Sequence, residues 1–277
     1  MNVNVTQTDF DSAIALARTG PTELGGVISP DWNANHGPHG GYLAAMVLHG
    51  LQLELDDPER APRSLTIHFL SKPTPGPVTL HTAVERKGRS LATLSGRLQQ
   101  GSETIALALA AFSPPWGGQD FDDAPMPDVQ PPAPERTMPQ EALDLMPPFG
   151  RHFVMQSRVG EPPFAAAERD APMTAGGWLG LAQPRATDAL SVAMFSDVWF
   201  PSPYVRLQRP AATPTIVLSV YFRTPLPRAD PDPHELCLVR FNSTLVREGF
   251  YEEDGVIWGA DGTLLAQSRQ LGIVLPG

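Results

Sequence analysis

The chain has 277 residues, with 20 Lys and Arg against 30 Asp and Glu, a formal net charge of −10, 31 prolines and one cysteine. This length allows one large domain or two of ordinary size. The negative charge argues against broad nucleic-acid binding, which depends on clustered Lys and Arg. A single cysteine can form neither an internal disulfide nor a cysteine-based zinc site, and we predict that Cys237 is a buried core thiol.

Targeting signals are not evident in the sequence. The first twenty residues lack a basic segment followed by a long apolar stretch, and no window reaches eighteen consecutive apolar residues. These patterns predict neither a secretory signal peptide nor a membrane-spanning helix. We therefore expect a soluble, cytoplasmic protein.

The first predicted element of note is a helix over residues 40–51, which is apolar on nearly all faces and is preceded by glycine and proline. Such a helix is expected to be fully buried. Strand-like runs follow at residues 64–70, 78–86, 90–99 and 104–112, with glycine-containing turns between the later ones.

A proline-rich linker divides the chain. Ten of the 31 prolines lie in residues 113–148. Because proline at this density cannot supply helix or ladder hydrogen bonds, we predict an extended surface segment there. The predicted organisation is an N-terminal unit (1–112), the linker (113–148) and a C-terminal unit (149–277).

The second half repeats the order of the first. Thr187 is the predicted N-cap of a helix over residues 188–195. Predicted strands follow, at 215–223, 236–246, 248–258 and 263–274.

The two halves also align residue by residue. Leu65–Phe69 matches 218–222 at an offset of 153, and 96–98 and 104–106 match 255–257 and 263–265 at an offset of 159. A duplicated unit of one buried helix followed by antiparallel strands predicts an α+β fold, the double hot-dog, in which two tandem sheets each wrap a central helix. The alternative is a pair of unrelated α+β units with coincidental similarity.

Three segments carry a resemblance to a known family. They are the run GVIWGADGTLLAQSRQ at residues 255–270, Gly88-Arg89-Ser90 at a hairpin entry, and the Gly40-Gly41 helix start. Together they resemble the acyl-CoA thioesterase II type of double hot-dog thioesterases, over most of the chain outside the linker. The resemblance implies an enzyme of lipid metabolism that hydrolyses acyl-CoA to free acid and coenzyme A, without metal or bound cofactor, as a homodimer.

The resemblance also implies a set of site residues. Family members hold the hydrolytic water with an Asp, a Thr and a Gln, and the matching positions here are Asp197, Thr215 and Gln270. A carboxylate can act as a general base or position the water, and a covalent acyl-aspartyl route is the alternative, while a hydroxyl and an amide can orient the water. By the internal alignment the first-half counterpart of Gln270 is Ala111, so we expect one competent site per chain.

Each of these three residues also has a purely structural interpretation. Asp197 follows a helical run and could end it. Thr215 opens a strand, where threonine is common for propensity alone. Gln270 is the hardest to explain structurally, because the run 264–274 is otherwise suited to burial and a buried amide must find partners.

Further residues are candidates for binding the substrate. The backbone N–H groups of Gly40 and Gly41 are candidate oxyanion donors at a helix N-terminus, with helix-start packing as the alternative. His36 and His39 are interpreted as loop residues that could line the acyl or pantetheine channel, since no third ligand stands at metal spacing. Arg89 is a candidate contact for the phosphates of coenzyme A, with a solvated surface arginine as the alternative.

Two rival functions stay open. The first is a hydratase or dehydratase acting on acyl thioesters on the same fold, which is expected to need a histidine with a carboxylate at the helix. The second-half helix offers no histidine. The second rival is a non-catalytic acyl-CoA-binding protein, since fold alone does not establish function.

Overall fold

The computed structural model describes residues 8–134, 144, 146–164 and 170–275. Within these ranges thirteen strands form one antiparallel sheet, and β3 and β4 form a separate two-stranded ribbon. The helices are α1 (Asp9–Ala13), α2 (Gly40–Leu55) and α3 (Ala189–Phe195). The strands are β1 (Ala17–Gly20), β2 (Glu23–Ile28), β3 (Asn33–Ala34), β4 (Gly37–Pro38), β5 (Ala61–Phe69), β6 (Gly76–Lys87), β7 (Ala92–Gln100), β8 (Glu103–Ser113), β9 (Phe153–Gly160), β10 (Met173–Leu181), β11 (Thr215–Phe222), β12 (Cys237–Ser243), β13 (Val246–Arg247), β14 (Phe250–Trp258) and β15 (Leu264–Ile273).

The strand order repeats in the two halves. It runs β1-β2-β6-β7-β8-β5 in the first half and β9-β10-β12-β14-β15-β11 in the second, and β5 pairs with β11 at the junction. Thr66 lies opposite Ser219, its repeat equivalent at the predicted offset of 153, and their hydroxyl oxygens are 3.0 Å apart. A local two-fold axis therefore passes through this pair. The predicted α+β double hot-dog is confirmed.

Helix α2 is the central buried helix of the first half. Its predicted start at Gly40 is correct, whereas the helix continues past residue 51 to Leu55. The prediction ended early because the last turn, Gln52-Leu53-Glu54-Leu55, contains two polar residues, although Leu55 itself is buried. Asp56 ends the helix in a left-handed conformation with φ 46°.

Helix α3 begins one residue later than predicted. Its N-cap is Asp188, not Thr187, because the Asp188 carboxylate accepts a hydrogen bond from the Ser191 N–H while the Ser191 hydroxyl faces the Asp188 N–H. Thr187 is buried, with its hydroxyl 3.8 Å from the Cys237 Sγ. Cys237 is a buried free thiol, as predicted, and burial raises its pKa to about 12.

Seven strands escaped prediction, namely β1, β2, β9, β10 and the two-residue strands β3, β4 and β13. Strand β10 carries three glycines, and glycine normally disfavours strands. Here the glycines allow close strand approach, since a methyl group at Gly176 would lie 2.1 Å from the Val239 carbonyl oxygen. These residues form a strand because they pair closely with β12, and a local sequence pattern cannot reveal that pairing.

Residues 114–134 of the linker contain no helix or strand and pack on the second-half sheet. The indole N–H groups of Trp178 and Trp258 donate to the carbonyls of Gln130 and Ala124, at 2.8 Å and 2.9 Å. Residues 135–143 and 145 lie outside the described residues. The unit boundaries at 112 and 148 stay a prediction.

Trp258→Phe is expected to loosen this linker. The change removes the donor to Ala124 and replaces a fully buried indole by a smaller ring, so we expect a loss of about 2 kcal/mol of unfolding free energy. Limited proteolysis should cut residues 114–134 faster in the variant. Trp116→Phe is the matched control, because Trp116 is 70% exposed in the same linker. Equal cleavage of all three proteins would contradict the packing role.

Among the described residues, no helix is both long and apolar enough to cross a membrane.

Candidate active site

Asp197, Thr215 and Gln270 converge in the structure although they are far apart in sequence. Asp197 follows α3, Thr215 is the first residue of β11, and Gln270 lies on β15. The Thr215 Oγ1 is 2.9 Å from the Gln270 Oε1 and 3.3 Å from the Asp197 Oδ1. The three side chains thus form one hydrogen-bonded group.

Strand pairing places two of these residues together. Thr215 lies opposite Gly272 on β15, two residues beyond Gln270. Because side chains alternate along a strand, Gln270 shares the inward face with Gly272, and it is only 5% exposed. The Asp197 N–H donates to the Met194 carbonyl, so the end of α3 fixes the third residue.

The N-terminus of α2 completes the group from the other half of the chain. The Gly41 N–H donates to the Asp197 Oδ2 at 2.8 Å. A methyl group at Gly40 would lie 2.7 Å from that oxygen, and one at Gly41 would lie 2.4 Å from the Met194 carbonyl oxygen. The glycine pair is therefore needed for this close approach.

The contact changes the interpretation of the two candidate oxyanion donors. The Gly41 N–H already donates its hydrogen bond to Asp197, so it is not free to donate to the carbonyl oxygen of a substrate. The Gly40 N–H has no acceptor among the described residues. Gly40 stays the candidate donor, and Gly41 anchors the carboxylate instead.

His39 is a site residue that sequence reasoning assigned to a loop. It is the N-cap of α2, and its Nδ1 accepts a hydrogen bond from the Tyr42 N–H at 3.2 Å. The Nε2–H then donates to the Asp197 carbonyl oxygen at 2.7 Å, which makes the ring a neutral tautomer. The 3.7 Å approach of Nε2 to the Asp197 Oδ2 is accordingly a polar contact and not an ion pair. Its position directly before Gly40 is the sequence signal for the cap.

Burial raises the pKa of Asp197 above its ordinary value of 3.8. The hydrogen bonds from the Gly41 N–H and the Thr215 hydroxyl favour the ionised carboxylate and offset part of this rise in the pKa. The side chain is 11% exposed. A carboxylate whose pKa is shifted towards neutrality is better suited to accept a proton than one with an ordinary pKa.

Glu253 on β14 is a second buried carboxyl group that the sequence reasoning missed. It is 2% exposed, and it accepts hydrogen bonds from the Gln270 Nε2 and the Ser202 N–H, each at 2.5 Å. Burial raises its pKa to about 7. The alternation along β14 could have revealed it, because Glu253 shares its face with the buried Tyr251 and Ile257.

Two predicted binding residues lie outside this group. His36 is exposed in the turn of the β3–β4 ribbon. The Arg89 carbonyl accepts a hydrogen bond from Arg60, which pairs with Asp57 just beyond the C-terminus of α2. Helix α2 is about 24 Å long at 1.5 Å per residue, so Arg89 lies at the opposite end from Gly40. The structure does not bring Arg89 to the candidate site.

The first half lacks the corresponding polar set. In the sheet register Gln270 lies opposite Leu218, and Ala110 lies opposite Leu65, the repeat equivalent of Leu218. The counterpart of Gln270 is therefore Ala110, and the predicted Ala111 is one residue off and on the opposite face. By the same registers Pro62 and Leu94 stand where the second half has Thr215 and Glu253.

The described residues contain no group of three or more His, Cys, Asp or Glu side chains that could hold a metal ion. The polar atoms at this site are carboxylate, hydroxyl, amide and backbone groups. Such a set can orient a water molecule and accept its proton.

Known proteins resemble the chain in sequence and in structure. An uncharacterized protein of Mycobacterium tuberculosis is 26% identical, covering 90% of each chain. A hot dog fold protein of unknown function from Alicyclobacillus acidocaldarius superposes with a TM-score of 0.86 at 25% identity, covering 98% of this chain and 100% of the other. An acyl-CoA thioesterase II from Mycobacterium marinum superposes with a TM-score of 0.74 at 19% identity, covering 98% of each chain.

The family assignment follows from two sequence models. The model of the acyl-CoA thioesterase N-terminal domain matches residues 28–113, and that of the C-terminal domain matches residues 122–274. These matches span both halves of the sheet and all three residues of the hydrogen-bonded group. The chain belongs to the acyl-CoA thioesterase family.

Proposed function

We propose that this protein hydrolyses acyl-CoA thioesters to a free carboxylic acid and coenzyme A, using a water held by Asp197, Thr215 and Gln270. The observation that carries the proposal is the convergence of these residues from three elements into one hydrogen-bonded group. A cytoplasmic location, a role in lipid metabolism and a homodimeric state accompany the proposal as predictions.

Each residue has a distinct role in the proposed reaction. Asp197 accepts a proton from the water as it attacks the thioester carbonyl carbon, and its Oδ2 is held by the Gly41 N–H. Thr215 and Gln270 orient that water through hydrogen bonds. The Gly40 N–H, at the positive end of α2, donates a hydrogen bond to the carbonyl oxygen and stabilises the negative charge that develops there. The thiolate of coenzyme A leaves and takes up the proton that Asp197 accepted from the water, which restores the carboxylate.

One observation favours the alternative of a hydratase or dehydratase. His39 from the first half lies beside Asp197, so a histidine and a carboxylate do meet at a helix. Both ring nitrogens of His39 are engaged in hydrogen bonds, and its side chain is 5% exposed and stacked on Phe149. A ring held in this way supports the helix start better than it supports proton transfer to a substrate. We therefore keep hydrolysis as the proposal.

The purified protein should release free thiol from one or more members of an acyl-CoA panel that spans short, medium, long and branched chains. Enoyl-CoA should lose its thioester without hydration of its double bond. Hydration without thiol release would favour the hydratase. Binding of acyl-CoA without either reaction would favour a non-catalytic binding protein.

Thr215→Val is expected to lower kcat/KM by at least about tenfold, because valine keeps the shape and removes the hydroxyl that orients the water. Thiol release under saturating and limiting acyl-CoA measures the change. Thr66→Val is the matched control, since Thr66 is a half-buried strand residue whose hydroxyl meets Ser219 away from the site. A similar loss in both variants would mean that hydroxyl removal acts through the fold.

A further inference from the structure

Glu253 is a buried carboxyl group with no part in the water-holding set. It lies on β14 opposite Gln270 on β15, and none of the ion pairs among the described residues involves it. Burying a carboxylate without a cation is costly. Its position directly behind Gln270 calls for a reason that packing alone does not give.

The hydrogen bonds to this carboxyl group involve the Ser202 N–H, the Ser202 hydroxyl and the Gln270 amide, each of which can donate. The Ser202 N–H points at Oε2 and the Gln270 Nε2 at Oε1. An ionised carboxylate can only accept, so it suits both contacts at once. A carboxylate at this position therefore holds the Gln270 amide with its nitrogen towards Glu253.

The orientation of Gln270 decides the direction of the next hydrogen bond. With Nε2 towards Glu253, the Oε1 faces Thr215 and accepts the hydroxyl proton over 2.9 Å. The hydroxyl carries one proton, so it cannot also donate fully to the Asp197 Oδ1 at 3.3 Å. The Asp197 oxygen therefore stays available to accept a proton from a water molecule.

Protonation of Glu253 would reverse this chain. A neutral carboxyl group donates one hydrogen bond, and a proton on Oε1, the oxygen that faces Gln270, is accepted by the Gln270 Oε1 only if the amide turns over. The Nε2 then faces Thr215, and the Thr215 hydroxyl is left to donate to Asp197. A hydrogen bond donated to a carboxylate lowers its basicity.

We propose that Glu253 is a positioning residue, whose ionised carboxylate fixes the hydrogen-bond direction Thr215 to Gln270 to Glu253 and so keeps the Asp197 Oδ1 free to accept the proton of the hydrolytic water. The role rests on the proposed thioesterase function, because it acts on the same water. Glu253 itself need not touch the substrate.

This role has a pH dependence. Because burial raises the pKa of Glu253 to about 7, the ionised form dominates above neutral pH and the reversed chain dominates below it. The titratable groups that face Glu253 and its surroundings are Asp197, Tyr251 on the same strand and Tyr204. Ionised Asp197 disfavours a second charge at Glu253, so the two groups titrate as a coupled pair.

Glu253→Gln is the direct test. Its amide oxygen is expected to accept from the Ser202 N–H and its NH₂ group to donate to Gln270, which imposes the reversed chain at every pH. We expect kcat for acyl-CoA hydrolysis at about pH 8 to fall at least about tenfold, as for a misplaced reacting group, with KM little changed. Glu252→Gln is the matched control, because Glu252 lies on the outer face of the same strand and binds Thr244.

Two readouts separate positioning from a structural role. The ratio of wild-type to variant kcat should shrink as pH falls through about 7, since the wild type then adopts the same reversed chain. The effect of Glu253→Gln should also largely vanish in a Thr215→Val background, because the hydroxyl whose direction is controlled is gone. A pH-independent ratio, or full additivity of the two changes, would overturn the proposal.

A third measurement needs neither a folded variant nor activity. The side-chain amide resonances of Gln270 in the wild-type protein should titrate with the midpoint of Glu253, near pH 7. Amide resonances that are insensitive to pH across the neutral range would overturn the positioning role. A wild type that releases no thiol from any acyl-CoA would instead overturn the proposed function, and the amide titration would still decide whether Glu253 controls Gln270.

Discussion

Asp197→Asn is expected to lower kcat/KM for acyl-CoA hydrolysis at least about a hundredfold, the scale for loss of a general base. The asparagine oxygen can still accept from the Gly41 N–H, and its NH₂ group can donate to Thr215, so the shape of the site is retained. The lost property is the ability to accept a proton from the water. Thiol release by wild type and variant at matched acyl-CoA concentrations measures the effect.

The same substitution is expected to stabilise the protein relative to the wild type as pH rises. Because burial raises the pKa of Asp197 above 3.8, this group contributes most to stability below that pH, and the contribution is lost as pH rises through its folded-state pKa. Asparagine has no such loss. The unfolding free energy of the variant should therefore rise relative to that of the wild type as pH rises above 3.8, which denaturant titrations at about pH 4 and about pH 8 measure.

Asp188→Asn provides the control for Asp197→Asn, because Asp188 caps α3 on the surface side and pairs with Arg185. It should leave kcat unchanged within about twofold. Full activity in Asp197→Asn would remove Asp197 from the proposed chemistry. A variant that is both inactive and strongly destabilised at every pH would point to a structural carboxylate.

Gly41→Ala is expected to destabilise the protein by about 2 kcal/mol. The added methyl group would lie 2.4 Å from the backbone oxygen of Met194, which cannot move without shifting the end of α3. Overpacking of this kind costs about 1 to 3 kcal/mol and occasionally more, whereas the better helix propensity of alanine returns about 1 kcal/mol. The steric cost should win, as the denaturant midpoint will show.

Activity should fall with stability in Gly41→Ala. A shift between α2 and α3 lengthens the contact from the Gly41 N–H to Asp197, so we expect kcat to drop at least about tenfold. Gly117→Ala is the control, because no atom lies within 4 Å of a methyl group at Gly117. A Gly41→Ala protein more stable than the wild type would show that helix propensity wins and that the helices do not cross this closely.

The repeat and the site were visible in the sequence to different degrees. Eight strands were predicted with bounds within a few residues of those observed. Their apolar residues recur along short stretches of sequence, and this pattern can be read locally. The glycine-rich β10 was missed, since its stability comes from the close approach of β12. The offset of 153 between Thr66 and Ser219 was correct, but the Ala111 assignment slipped by one residue because register depends on pairing.

The sequence by itself determined the duplicated α+β architecture, the buried helix beginning at Gly40 and the residue types Asp197, Thr215 and Gln270. These follow from periodicity, glycine placement and resemblance, all of which are properties of short segments. Only the tertiary structure decided that the Gly41 N–H and the His39 ring hold Asp197, and that Glu253 stands behind Gln270. The contacts of Asp197 join the two halves of the chain and depend on how those halves pack. The contact of Glu253 depends on the register of β14 against β15, and no local pattern carries either kind of information.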